Sequence, residues 1–154
     1  MQGFSMNAKC AVNIKALKLY NRVGIQTGIE DASPHRLIQM LMDGALSRIA
    51  KAKSNLKKNE TEEKGINISM AISIIGGLRD SLDHDGGGKI ASNLDNLYEY
   101  MTLRLIEANV KNNIEMLEEV SKLLGEIKSA WDSIAHFEQA GTVDQSRELM
   151  QKAG

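Results

Sequence analysis

The stretch SPHRLIQMLMDGALSRIAKAKSNLK, Ser33 to Lys57, decides the fold. Ser-Pro is a start signal. The serine oxygen caps free amides of the first turn, and proline at the first helical position loses no needed N–H. From there Ile38, Leu41, Met42, Ala45, Ile49, Ala52 and Leu56 recur at the three- and four-residue spacing of a single helical face. The polar run Lys57-Lys58-Asn59-Glu60 ends the pattern. The spacing predicts an amphipathic helix over 34–57.

Working outward, the same period returns on both sides. A second helix reads from about 62 to 83 and stops where Gly86-Gly87-Gly88 follow Asp83-His84-Asp85, since consecutive glycines do not sustain a helix. A third reads from 89 to 111, with Ile90, Leu94, Leu97, Tyr98, Met101, Leu105 and Ala108 in register. After Asn112-Asn113 a fourth runs to about 137, burying Leu117, Val120, Leu124, Ile127, Trp131 and Ile134. Upstream, Ala11, Val12, Ala16, Leu19, Tyr20 and Val23 mark a short helical segment, loosened from the rest by Gly24 and Gly28. Helices of similar length joined by short loops pack most simply as an all-α, antiparallel up-down four-helix bundle. The expected organisation is a disordered N-terminus over 1–10, the bundle with its N-terminal helical segment over 11–137, and a flexible tail over 138–154. Met1–Ser5 precede a second methionine and read as an expression scar.

Composition narrows the class. The chain has 154 residues, 42% apolar and 25% charged, an ordinary balance for one soluble domain. Aromatics at 4% and a single Pro34 disfavour an all-β sandwich. A net charge of −1 argues against nucleic acid as a partner. No apolar run exceeds three residues, so neither membrane insertion nor a secretory signal is expected. The lone Cys10 forms no internal disulfide, which fits a cytosolic, cytoplasmic protein.

Catalytic and metal signatures are missing. His35, His84 and His136 have Ala32, Ser81 and Ser133 three residues before them, so no di-iron Glu-x-x-His motif exists. His-x-x-x-His and Cys-x-x-Cys are also absent, and the histidines read as surface or loop residues. Counting a calcium loop from Asp83 puts Leu94 where a bidentate glutamate belongs. Gly88-Lys89 is followed by Ile90 and not by the Ser/Thr of a phosphate-binding loop. The expectation is no enzyme, no metal and no cofactor.

One feature exceeds what a bundle needs. Ile66, Met70 and Ile74 lie off the core arc of the second helix, and Leu103, Ile106 and Val110 lie off that of the third. Either each helix touches several neighbours and buries a wide arc, or these stripes line a groove for a partner's amphipathic helix. A homodimer through the same surface is the third alternative. Gly76-Gly77, costing ~1 kcal/mol each against alanine, either admit a neighbouring backbone or only weaken the helix.

Several of these stretches resemble a known family. Ser33–Ala45, Ile74–Asp83, Gly87–Met101, Leu105–Asn109 and Glu119–Trp131 are similar, in order and spacing, to the FliS flagellin export chaperones. Met42 departs from the family's usual tyrosine, whereas Tyr20 stands where the family has an N-terminal one. The resemblance implies a cytosolic chaperone that binds the C-terminal segment of flagellin, prevents premature polymerisation and delivers it to the flagellar type III export machinery, without ATP or covalent chemistry. The alternative is a regulatory adaptor for another flagellar protein, such as an anti-sigma factor or export-gate component. Together with the second stripes it implies a flagellin-binding set of Tyr20, Met42, Ile66, Met70, Ile74, Leu103, Ile106 and Val110. Tyr20, Leu19 and Val23 are expected to dock on the free bundle and shield its apolar surface until the client displaces them.

Overall fold

A computed structural model describes residues 32–153, with side chains described through residue 134. Four helices make up this part of the chain: α1 (Pro34–Lys57), α2 (Thr61–Asp80), α3 (His84–Lys111) and α4 (Ile114–Ala153). No strand occurs among the described residues. The expectations for Tyr20, Leu19, Val23, Cys10 and everything before residue 32 lie outside them.

The helix ends follow local chemistry. Ser33 is extended, and its Oγ accepts from the Arg36 amide at 3.1 Å while Pro34 opens α1. α1 closes into a tight turn in which the Glu60 amide bonds the Asn55 carbonyl at 2.9 Å and Asn59 adopts a positive φ of 60°. Glu62 and Glu63 in the first turn of α2 complement its positive dipole end. α2 ends at Asp80, three residues earlier than its periodicity predicts, because Asp83 is taken up as the cap of α3. Its side chain accepts from the Gly86 amide at 3.0 Å.

That cap also corrects the expectation that the glycines stay out of a helix. His84–Gly87 form one helical turn, and only Gly88 breaks it, at φ 52° and ψ −124°. α3 then runs on to a left-handed cap at Asn112. Asn113 starts α4 by accepting from the Met116 amide at 3.1 Å. The expected end of α4 near 137 is also corrected: the backbone stays helical through Ala153, across Gly141.

Each helix packs closely on two others, α1 on α2 and α4, and α3 on α2 and α4. This is a four-membered helical bundle. Polar pairs across α2 and α3 run from Arg79–Asp95 to Lys64–Asn109, and across α1 and α4 from His35–Trp131 to Asp43–Lys128. In both, one number rises as the other falls, which is compatible with antiparallel neighbours. The core is built from Leu37, Leu41, Met42, Ala45 and Ile49 of α1, Ile68, Ala71, Ile74, Ile75 and Leu78 of α2, Tyr98, Met101 and Leu105 of α3, and Leu117, Val120 and Leu124 of α4. Burial pushes the Tyr98 phenol up to about 12, so it is neutral across the physiological range.

Three expected core residues are exposed instead: Ile90 at 72%, Leu97 and Ile134. In α3 the buried line is Ala91, Leu94, Tyr98, Met101, Leu105 and Ala108, a strict alternation of three- and four-residue steps. Ile90 and Leu97 sit one position off that line. Ile134 lies one turn beyond Trp131, whose indole N–H donates to the His35 carbonyl at 3.1 Å near the start of α1. His35 is corrected too: its ring stacks on Trp131, centroids 4.6 Å apart and 5° from parallel, so it anchors α1 to α4.

Candidate functional site

Polar pairs fix which side of each helix faces its neighbours. On α2, buried Lys64 turns to α3, donating to the Asn109 carbonyl at 3.0 Å and to the Asn112 side chain. An ammonium at the carbonyl end of α3 offsets the helix dipole there. Asn67 marks the other edge of α2, donating to Asn55 Oδ1 at 2.7 Å and accepting from Arg48 at 3.1 Å, both on α1. On α3, Asp95 accepts from Arg79 of α2 at 2.6 Å, while Arg104 forks onto Glu119 of α4 at 3.2 and 3.1 Å.

Among the described residues, no other helix faces the stretch of α3 between those two edges. Leu103, Ile106 and Val110 lie there, exposed at 59%, 48% and 77%. At ~25 cal/mol per Å² such a stripe costs free energy in water that a covering partner recovers. Tyr100, one turn before Leu103, borders the stripe on the α4 side and is 43% exposed. Its hydroxyl donates to Glu119, and the Arg104 guanidinium lies 5.9 Å from the ring centroid. Those contacts hold the Glu119 carboxyl below the usual range, with the Tyr100 hydrogen bond the larger cause and Arg104 next.

The expected binding set therefore divides. Leu103, Ile106 and Val110 are open and share one face. Ile66 is also open, but by helical spacing it stands on the outside of α2, leaning toward α1, so it does not join the α3 stripe in one groove. Met70 is half-buried against the core, and Met42 and Ile74 are inside it, at 1% and 0% exposure. Both side chains are covered in this conformation. Ile74 falls on the α1 side of α2, where the neighbour that periodicity cannot name covers it. Tyr100, which the expected set omits, borders the exposed stripe. The signal was there: Leu97, Tyr100, Leu103 and Ile106 follow one another at three-residue steps.

Among the described residues no three His, Cys, Asp or Glu come together to hold a metal ion. No helix among them is long and apolar enough to cross a membrane. A shallow hollow of about 100 Å³ beside Lys64 is lined by Asn55, Asn59, Glu60, Thr61 and Asn112.

A family described as "Flagellar protein FliS" matches residues 16–138. The chain is 54% identical over 123 residues to the "Flagellar secretion chaperone FliSB" of Pseudomonas aeruginosa, covering 80% of this chain and 98% of that protein. It is 43% identical over 120 residues to the "Flagellar secretion chaperone FliS" of Salmonella typhimurium, 77% of this chain and 89% of the relative. The Bacillus subtilis protein of the same name is 30% identical over 114 residues, covering 74% and 84%.

Proposed function

The chain belongs to the FliS family of flagellar proteins, and from that membership we propose that it is an export chaperone for flagellin. It holds the C-terminal segment of flagellin, keeps it from polymerising early, and hands it to the flagellar type III export apparatus. The observation that carries this reading is the bare stripe Leu103, Ile106 and Val110, where most other large apolar side chains among the described residues are covered. An amphipathic client segment laid over α3 buries its own apolar face and this one together. Such a segment folds as it binds, so association carries a negative heat-capacity change.

Calorimetry with a flagellin C-terminal peptide is expected to show one-to-one binding with that signature. Ile106→Asp is expected to lower affinity about tenfold or more while helicity and melting stay within error. Absence of binding, or binding to the flagellin N-terminal segment alone, rejects the proposal. Selective capture of an anti-sigma factor or export-gate component points instead to the adaptor alternative. A concentration-dependent dimer that Ile106→Asp dissolves would assign the same face to self-association.

A further inference from the structure

We infer that Tyr100 is a client-contact residue and that Glu119 and Arg104 are the positioning residues that hold its ring for that contact; this rests on the client reading of α3 given above. Three observations on the page converge. Tyr100 lies one helical turn before Leu103, so its ring extends the bare stripe toward the α4 edge. Its hydroxyl donates to Glu119 on α4, and the same carboxylate takes two hydrogen bonds from Arg104, at 3.2 and 3.1 Å. Arg104 in turn bonds Glu107 at 3.3 Å, which is bonded by Lys111 at 2.7 Å. A chain of charge-assisted bonds therefore grips a ring that is nonetheless 43% exposed.

Exposure and fixation rarely go together on a surface. Most exposed side chains keep their rotamer freedom, and a partner that immobilises one forfeits binding free energy. A tyrosine has only two side-chain torsions, and here its hydroxyl is tied to the next helix. Its ring offers a large apolar area whose ordering has already occurred in the free protein. The hydroxyl proton is engaged by Glu119, so toward a client the phenol oxygen is an acceptor only. The geometry thus favours a client that brings an apolar side chain against the ring and an N–H donor toward the oxygen. A mere staple between α3 and α4 would need the Arg104–Glu119 pair but not an exposed aromatic ring beside the stripe.

A double-mutant cycle with the flagellin C-terminal peptide tests this, using the full chain and reading affinity and melting together. Tyr100→Ala is expected to weaken binding about tenfold, and Glu119→Ala roughly three- to tenfold by freeing the ring. Tyr100→Phe, which keeps the ring but releases it from Glu119, should fall between wild type and Tyr100→Ala. Once Tyr100 is alanine, adding Glu119→Ala should cost no further affinity, because Glu119 acts through the ring. If the Glu119→Ala loss persists in the Tyr100→Ala background, or only melting changes, the pair is a staple and the inference fails. Wild-type binding that ignores Tyr100→Ala also overturns it, while the client reading stands. Absence of any wild-type binding rejects the client reading itself, and this inference with it.

Discussion

α2 and α3 present the same pattern in sequence and opposite outcomes in space. Each carries an apolar stripe off its core arc: Ile66, Met70, Ile74 on one and Leu103, Ile106, Val110 on the other. On α2 the stripe slides under cover residue by residue, Ile66 exposed, Met70 half-buried and Ile74 sealed. On α3 all three residues stay open. The difference lies in the neighbours. The α2 stripe runs along the edge marked by Asn67 and its bonds to α1, the helix on which α2 packs most closely. The α3 stripe lies opposite the core, between the Asp95 edge toward α2 and the Arg104 edge toward α4. A second stripe stays open to a partner only where, among the described residues, no further helix covers it.

The sharpest way to break this contrast is to place one charge on each stripe. Ile74→Asp buries an unpaired carboxylate at a site with no exposure, and the expected loss is at least ~4 kcal/mol, enough to abolish a cooperative melt. Ile106→Asp puts the same group at a half-exposed position and should leave the unfolding free energy from urea titration unchanged within ~0.5 kcal/mol. Circular dichroism of the two variants decides the matter. Equal stability would erase the distinction between the stripes.

Smaller effects come from two glycines, one in the hinge of α3 and one on α2. Gly88 sits at φ 52° and ψ −124°, a conformation a Cβ does not tolerate, and Gly88→Ala is expected to destabilise by ~1–3 kcal/mol. Gly76 lies inside α2, and a Cβ there would meet nothing within 4 Å. Gly76→Ala should therefore stabilise by up to ~1 kcal/mol through helix propensity alone. Of the two readings open for Gly76-Gly77, the structure supports neither for the pair as a unit: Gly77 is buried, and Gly76 faces open space. Thermal melts of opposite sign are the expected result, and a destabilising Gly76→Ala would contradict it.

Much of this molecule is legible in the sequence, for definite reasons. Ser33-Pro34 sets the start of α1 by local bonding, so the boundary agrees with the sequence reading to the residue. The helix count follows from periodicity, which needs only the 3.6-residue repeat. Other features depend on what stands across from a residue. Ile74 and Ile106 look alike in the chain, and only the packing of α1 on α2 tells them apart. Ile90 and Leu97 are apolar and nearly in register, yet the buried line passes one position away, through Ala91 and Tyr98. Asp83 shows a subtler limit. Its carboxylate caps a glycine-rich turn that composition alone assigns to loop, because a cap supplies the bond that glycine propensity does not. The hold on Tyr100 is not legible in the sequence, because it comes from Glu119, nineteen residues away on another helix.

The smallest expected effect separates the two edges that frame the α3 stripe. Asp95, on the α2 edge, is held below its ordinary 3.8, chiefly by the hydrogen bond from Arg79. Glu119, on the α4 edge, is held below its ordinary 4.5 by Tyr100 first and Arg104 second. In both, the folded state prefers the carboxylate more than the unfolded chain does. Their stabilisation is therefore complete above those ordinary values and fades as pH falls through the lower folded ones. Both groups are solvent-facing, so the contribution is modest and shrinks with added salt. Urea midpoints taken from about pH 6 to pH 3 should stay level and then decline. Acidification reaches the α4 edge first, because the unfolded glutamate begins to take up protons at the higher pH. Glu119→Gln should accordingly reduce the upper part of the decline, which Glu107 shares, and Asp95→Asn the lower part, which Asp132 shares. If wild type and both variants decline in parallel, the acid sensitivity resides elsewhere, with Asp132 beside Lys128 and Glu107 beside Lys111 the next carboxylates held below their ordinary range.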